Sequence, residues 1–418
     1  MRIHRHVDGS AHAPAGVIVT DVQTRAMLAA VRCLDAAGYR VAGVGPTPLA
    51  PGLWSRAVRE RHVLADPLED SRAFLDGLER LAVEGGQSLL MAGTDASLLA
   101  ISQHRRRFEP HLALGLPARE AVERALDKRA LDECARAAGL EQPPARICDD
   151  VEQALAAAAE LGYPVLVKPL HAALERGGRI VRFASRLAGD VEALQAACAE
   201  LGPCIVQQRL EGAMQAVAGV LGETELLGAV RFRYKRIWPP EAGSACFAET
   251  IPLPDGLADA LAGIVAALGW RGLFQLELIE RPGGGLAAVD LNPRAFGSLG
   301  IARAAGVPLT AIWARSTLGE RAPVTRARVG VRFRWVDADL RHASWQLRRG
   351  RARAAAAALR PRPRVAHAYL RIADPAPALA RTLELGLAFM RRSLDRRAGG
   401  VAPPPPGRQP TQRLPSKV

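Results

Sequence analysis

Between Phe274 and Arg294 the chain runs Phe-Gln-Leu-Glu-Leu-Ile-Glu-Arg-Pro-Gly-Gly-Gly-Leu-Ala-Ala-Val-Asp-Leu-Asn-Pro-Arg, two strand-like stretches around a glycine run. If Gly283-Gly284 forms the two-residue loop that hairpins prefer, Glu277 falls opposite Asp290 and Gln275 opposite Asn292. Residues two apart on a strand share a face, so these four polar side chains converge. Facing carboxylates repel unless a cation neutralises them. Carboxylates and an amide oxygen are hard ligands of the kind Mg²⁺ takes, with water and phosphate oxygens filling its other positions, and Mn²⁺ accepts the same donors. Arg294, two residues further on, stays beside them, and its guanidinium fork suits a phosphoryl oxygen. A solvent-facing hairpin whose acids only solubilise it would share this pattern.

Composition singles out further positions. Of 56 basic residues only four are lysines (Lys128, Lys168, Lys235, Lys417), and Asn292 is the only asparagine in the chain. A sequence so biased toward arginine keeps lysine where a compact ammonium is needed, because the two cations differ in shape and hydration. The formal net charge of +14 raises nucleic-acid binding as a function. That class is disfavoured, because the basic residues concentrate after Glu320 without a recognisable module and only 5% of residues are aromatic, which leaves few platforms for stacking bases. The six cysteines have no CxxC or metal-finger spacing and are expected to be ordinary buried thiols of a cytoplasmic protein. No apolar run approaches membrane-spanning length.

The elements that must carry these residues follow from periodicity. Val17–Thr20, a helix from about Thr24 to Ala37, Tyr39–Val44, His62–Ala65, a helix over Ser71–Val83 and Ser88–Ala92 alternate as strand and helix, which predicts an open parallel α/β sheet. No GxGxxG follows the first strand, so a nicotinamide dehydrogenase is disfavoured. Helices are expected over Asp127–Ala138, Val151–Leu161 and Asp190–Leu201, with strands at Tyr163–Lys168, Arg179–Phe183 and Cys204–Gln208. Strands at Ala216–Leu221, Leu226–Arg233, Leu273–Glu280 and Leu286–Leu291 are expected to be antiparallel, so the middle of the chain is α+β. There is no internal repeat.

Asp290-Leu-Asn-Pro-Arg294, followed by Ala295-Phe-Gly-Ser298, resembles the (E/D)xNPR element of ATP-grasp ligases, and Glu277 stands where that family has its other metal-binding residue. Tyr163-Pro-Val-Leu-Val-Lys-Pro169 is similar to the strand whose lysine touches the nucleotide phosphates. Asp127-Lys128 resembles the first ATP lysine, and Cys204-Ile-Val-Gln-Gln-Arg-Leu-Glu-Gly212 the hinge between two lobes that grasp adenine. The resemblance implies that Gln207 faces the adenine amino group, with the backbones of Gln208 and Leu210 completing that edge. A plain buried strand would also account for this segment. By the same likeness, Lys235 and Arg236 in Arg231–Ser244 hold the substrate carboxylate, though a charged strand face explains them equally.

Two features depart from the family pattern. The phosphate-covering loop, Leu170–Gly178, has only Gly177-Gly178 behind His171 and Glu175. The acid that usually holds the ribose hydroxyls is replaced by Met214-Gln215, where Gln215 is the candidate hydrogen-bonding group.

The resemblance spans about 16–318 and is nearest to the bacterial carboxylate-amine ligases. It implies a flexible N-terminus (1–15) and a Rossmann-like pre-ATP-grasp α/β domain (16–115). A two-lobed α+β ATP-grasp domain follows (116–318, lobes about 116–205 and 206–318), then a basic C-terminal extension (319–396) and a disordered tail (397–418). It further implies a ligase that uses ATP and Mg²⁺ to activate a carboxylate as an acyl phosphate for attack by an amine, with small-molecule substrates and a homodimer as the compatible oligomer. Other chemistry of the family, as a carboxylase or thiol ligase, and a non-catalytic nucleotide-binding protein are the alternatives.

Overall fold

The computed structural model describes residues 15–176, 179–223, 225–240, 243–321 and 325–397. The expectations for residues 1–14, for Gly177-Gly178 and for the tail from 398 lie outside the described residues.

The first unit contains β1 (Gly16–Val19), α1 (Arg25–Ala36), β2 (Arg40–Gly45), β3 (Glu60–Val63), α2 (Ser71–Glu84), β4 (Leu89–Met91) and α3 (Asp95–Gln103). Its four strands are all parallel in the order β3-β2-β1-β4. β3 begins two residues earlier than expected. Val17, Ile18 and Val19 are fully buried, and burying each such side chain contributes about 2 kcal/mol. At the C-terminal end of the sheet Asp21, in the left-handed region at φ 58°, accepts from the Thr20, Thr94 and Ser97 hydroxyls and from the Gly93 amide. That carboxylate ties the ends of β1 and β4 together and fixes the start of α3.

The chain continues through α4 (Arg119–Leu126), α5 (Lys128–Ala137), β5 (Ala145–Cys148), α6 (Val151–Leu161), β6 (Val165–Pro169), β7 (Ala173–Arg176), β8 (Arg179–Arg182), β9 (Arg186–Ala188), α7 (Val191–Leu201) and β10 (Cys204–Gln208). Strands β5, β10, β6 and β9 form an antiparallel sheet. One face packs on α6 and α7 through Val165, Val167, Val206, Ala158 and Leu194, a core separate from the rest of the molecule. Both helices start as their sequences direct, with Asp150 and Asp190 accepting from the backbone amides three residues on. The lobe boundary expected at 205/206 cuts through β10, which belongs wholly to this small sheet. α4 and α5 belong elsewhere, because Leu126 and Leu131 are buried with Leu261, Phe274 and Leu276 of the following region.

That region holds β11 (Ala213–Leu221), β12 (Leu226–Trp238), β13 (Ser244–Ile251), α8 (Asp255–Ala267), β14 (Gly272–Glu280), β15 (Leu286–Asn292), α9 (Gly300–Ala304) and α10 (Leu309–Thr317). It continues into β16 (Arg332–Arg334), α11 (Val336–Arg348), α12 (Ala352–Leu359), β17 (Val365–His367) and α13 (Ala376–Arg397). One seven-stranded sheet runs in the order β15-β14-β11-β12-β13-β16-β17. The expected antiparallel pairings of β11, β12, β14 and β15 are present. The alternation of β11 decides the layers: Ala216, Ala218 and Val220 face α1 and α10, and Val217 and Leu221 face α8. In the segment after 318, expected as a basic C-terminal extension, β16 and β17 extend the sheet and the Arg32–Asp374 pair ties it to α1. Among the strands missed from sequence, β5, β7 and β9 are only three or four residues long, and β13 holds the consecutive apolar run Ala245–Ala248, which gives no alternation. All six cysteines are buried and free, and among the described residues no helix is long and apolar enough to cross a membrane.

Candidate active site

The β14–β15 hairpin pairs Glu277 with Asp290 and Gln275 with Asn292, but not through the expected turn. The loop is Pro282-Gly283-Gly284, closed by Arg281 N donating to Gly285 O (3.2 Å) and Gly284 N to Arg281 O (3.0 Å). Gly284 and Gly285 sit at φ 84° and 81°, a region glycine enters without penalty. This turn alone would set Glu277 opposite Val289. A one-residue bulge at Val289 restores the pairing, as the register jumps from Leu278↔Ala288 to Glu277↔Asp290. The bulge has a second effect, because the Val289 carbonyl accepts from Lys168 Nζ at 3.0 Å.

The polar side chains of this face form one network. Glu277 Oε1 accepts from the Tyr234 hydroxyl (2.6 Å), whose oxygen accepts from Gln275 Nε2 (3.0 Å), and Gln275 Oε1 accepts from Asn292 Nδ2 (3.1 Å). Burial and the neighbouring Asp290 charge push the Glu277 carboxyl up to about 7. Burial and the adjacent Glu277 hold the Tyr234 hydroxyl well above its ordinary value. Asp290 is paired with the Lys128 ammonium, a cation already in place beside the acidic pair. The donor set fits a hard divalent ion: two carboxylates and an amide oxygen, with room for water and phosphate oxygens. Among the described residues no group of three or more His, Cys, Asp or Glu side chains gathers as a metal site, at this hairpin or elsewhere.

The two lysines reach the site from different bodies. Lys128 opens α5, directly after the N-cap Asp127, which accepts from Arg129 N at 2.8 Å; α5 packs on β15. Lys168 lies on β6 of the small sheet, buried at 8% exposure, with its pKa lowered to about 8 by burial and by the nearby Lys128 charge. Antiparallel pairing of Lys168 with Ile205 and Leu166 with Gln207 places all four on the face away from α6 and α7.

Arg294 is held by Asp95, the first residue of α3, through Nε to Oδ1 (2.6 Å) and Nη2 to Oδ2 (2.7 Å); Nη2 also donates to Asn292 Oδ1 (2.9 Å). Burial opposes charge on both partners, but the ion pair prevails, holding the Asp95 carboxyl below its usual range and raising the arginine.

These groups line a cleft of ≈ 870 Å³ between the two sheets and the end of the parallel sheet. Gln207, Gln208 and Leu210 line it. Gln215 does not: it is fully buried, accepts from Arg231 Nε (2.7 Å) and donates to Glu280, while Met214 faces the cleft. Lys235 and Arg236 are not among the lining residues either. Register shifts at Tyr234/Arg236 and Arg236/Ile237 leave Lys235 half exposed beside Glu249 (3.6 Å) and turn Arg236 onto the buried Asp339 (2.6 Å). The residues missed from sequence are Tyr234, Asp95, Arg25 and Arg182, which all line the cleft. A signal existed for Asp95, which follows the apolar strand at the C-terminal edge of a parallel sheet, where open α/β folds place their sites. None existed for Arg25, whose Nε donates to Gly297 O (2.9 Å) across 272 residues of sequence.

Residues 127–221 match the family model of the carbamoyl-phosphate synthase L chain, ATP binding domain. Over 226 residues the chain is 27% identical to the carbamoyl phosphate synthase large chain of Thermus thermophilus, a match covering 52% of this chain and 21% of that relative. The chain thus spans about a fifth of the length of that curated relative. The biotin carboxylase domain of Hydrogenobacter thermophilus 2-oxoglutarate carboxylase, solved with MgADP, ADP and bicarbonate, superposes with a TM-score of 0.58 at 17% identity, covering 76% of this chain and 73% of that one. The L-amino acid ligase of Bacillus licheniformis gives 0.55 at 16%, covering 75% and 79%. The fold of this chain is an ATP-grasp fold.

Proposed function

We propose that this ATP-grasp chain is an ADP-forming ligase, which activates a carboxylate as an acyl phosphate and couples it to an amine. The observation that carries the reading is the meeting in one cleft of Lys128, the Glu277–Asp290 pair, Asn292 and Arg294 from the large-sheet region with Lys168 from the small sheet. The parallel-sheet unit acts as the pre-ATP-grasp domain, contributing Asp95 and Arg25 to the cleft.

Glu277, Asp290 and Asn292 would hold Mg²⁺, which when bound spreads the charge of the phosphates it shares. Lys128 and Lys168 neutralise ATP phosphates, and Gln207 with the backbones of Gln208 and Leu210 receives the adenine. Arg294, oriented by Asp95, stabilises the transferred phosphoryl group with donors set before reaction, which costs no reorganisation at the moment of transfer. Tyr234 keeps the Glu277 carboxylate turned toward Asp290. With Lys235 and Arg236 engaged elsewhere, Arg25, Arg182 and Arg209 are the cationic side chains left in the cleft to receive the substrate carboxylate. Positioning supplies most of the acceleration, as expected for phosphoryl transfer.

The test is ADP release with Mg·ATP over a panel of carboxylic acids, each paired with amines, thiols or water. Release that requires both an acid and an amine supports the proposal. A thiol requirement, carboxylation from bicarbonate, or ATP binding without turnover on any pair would replace it.

A further inference from the structure

A second cavity of ≈ 660 Å³ lies outside the cleft, between α1, α9 and the segment around β17. Six arginines line it, Arg25, Arg32, Arg303, Arg362, Arg364 and Arg371, and no carboxylate does. Asp374, next along the chain from the groove, is spent: its oxygens accept from Arg32 Nε (2.8 Å), the Ser55 hydroxyl (2.6 Å) and Arg56 N (3.0 Å). Among the described residues Arg303, Arg364 and Arg371 have no ion pair or side-chain hydrogen bond, and Arg362 lies over the Phe247 ring, 5.3 Å from its centre.

Arg362, Arg364 and Arg371 stand exposed on the groove wall and Arg303 is half-buried, whereas the arginines of the buried clusters meet acids, as in Arg236 and Arg334 on Asp339, Arg294 on Asp95 and Arg381 on Asp337. In the groove, burial and the Arg371 charge lower the pKa of Arg303, and the Asp35 charge offsets only part of this. Guanidinium groups gathered without acids fit phosphate oxygens, which they bind through paired N–H donors. Apolar surface adjoins them, with Leu370 at 52% and Ile372 at 98% exposure and Phe333 on the floor.

We propose that this groove is a binding site for a small molecule bearing one or more phosphate groups, separate from the nucleotide cleft. Its size matches a compact ligand, and the apolar rim receives the part of that ligand that carries no charge. Arg25 forms part of both walls and bonds the Gly297 carbonyl in the loop following Arg294, so the groove and the cleft share one side chain. The site does not depend on the cleft being catalytic.

Calorimetry tests this with inorganic pyrophosphate titrated into the full chain already saturated with Mg²⁺ and a non-hydrolysable ATP analogue. The expected result is a 1:1 binding event, weakened at least about tenfold in the Arg303→Gln/Arg371→Gln variant, while the affinity for the analogue stays unchanged. Thermal melting of that variant is expected to match or exceed wild type, since two unpaired like charges are removed; if it folds poorly, Arg364→Gln alone serves the same comparison. Absence of a pyrophosphate event, an event unchanged in both variants, or equal heats from sodium chloride at matched ionic strength would overturn the proposal. So would an RNA oligomer binding much more tightly than pyrophosphate and losing that binding in the same variants, which would assign the groove to nucleic acid.

Discussion

The β14–β15 hairpin and strand β12 lie in one sheet, separated by β11, and both carry charged residues. The acids of the hairpin meet in the cleft, but the cations of β12 do not. A hairpin pairs with its own sequence neighbour, so its face is set by one turn and one bulge within some twenty residues. Strand β12 pairs with β11 on one side and β13 on the other. Regular alternation with Phe232 turns Tyr234 inward, and the register shifts just after it hand Arg236 to Asp339, more than a hundred residues away.

The sharpest way to break this contrast is to substitute both regions. Asp290→Asn and Asn292→Ala are each expected to reduce coupled ADP release by about 10³-fold or more, whereas Lys235→Ala should leave kcat within about twofold. Asp290→Asn removes repulsion on Glu277 and pairing with Lys128 together, so its melting midpoint should move little, within about 1 kcal/mol of wild type. Comparable losses in Lys235→Ala would mean that β12 is catalytic after all.

Lys168→Arg is expected to cost about 10²-fold in ADP release despite conserving charge. The ammonium is buried against the Val289 carbonyl, and the planar guanidinium has no matching space. Lys417→Arg, outside the described residues, is the silent control. Near-wild-type turnover in Lys168→Arg would show that charge alone suffices.

The buried lysine also sets a pH dependence. Its pKa in the folded protein is lowered to about 8, so it is charged below that value and neutral above it. ATP affinity measured by calorimetry should fall as pH rises through about 8, by up to about tenfold per unit, and this step should be absent from Lys168→Arg. The stability consequence has the opposite sign: the cost of burying the ammonium is fully present below about 8 and is relieved between 8 and the unfolded value near 10.5.

The smallest effect concerns β11. Met214→Glu restores an acid where the cleft receives the ribose and should lower the KM for ATP about fivefold, the worth of one hydrogen bond. Gln215→Ala should leave that KM unchanged and lower stability by about 1–3 kcal/mol by orphaning Arg231. Reversed outcomes would put Gln215 in the cleft.

The chain by itself determined much of this protein. Helices α6 and α7 were legible because an aspartate cap opens each and a glycine at positive φ closes it, and the parallel sheet because alternating strands and helices allow few other arrangements. The Glu277–Asp290 pairing was legible as well, although the one-residue error in the assumed turn was cancelled by the bulge at Val289. The two lysines stood out because arginine had replaced lysine almost everywhere else. What only the tertiary structure decided is where side chains on central strands point and which distant partners they meet: Gln215 in a buried network, Arg236 on Asp339, Asp95 on Arg294, Arg25 across the cleft. The physical reason is that local propensity and periodicity act over a few residues, whereas the face of a central strand is chosen by two neighbouring strands and the layers packed on them.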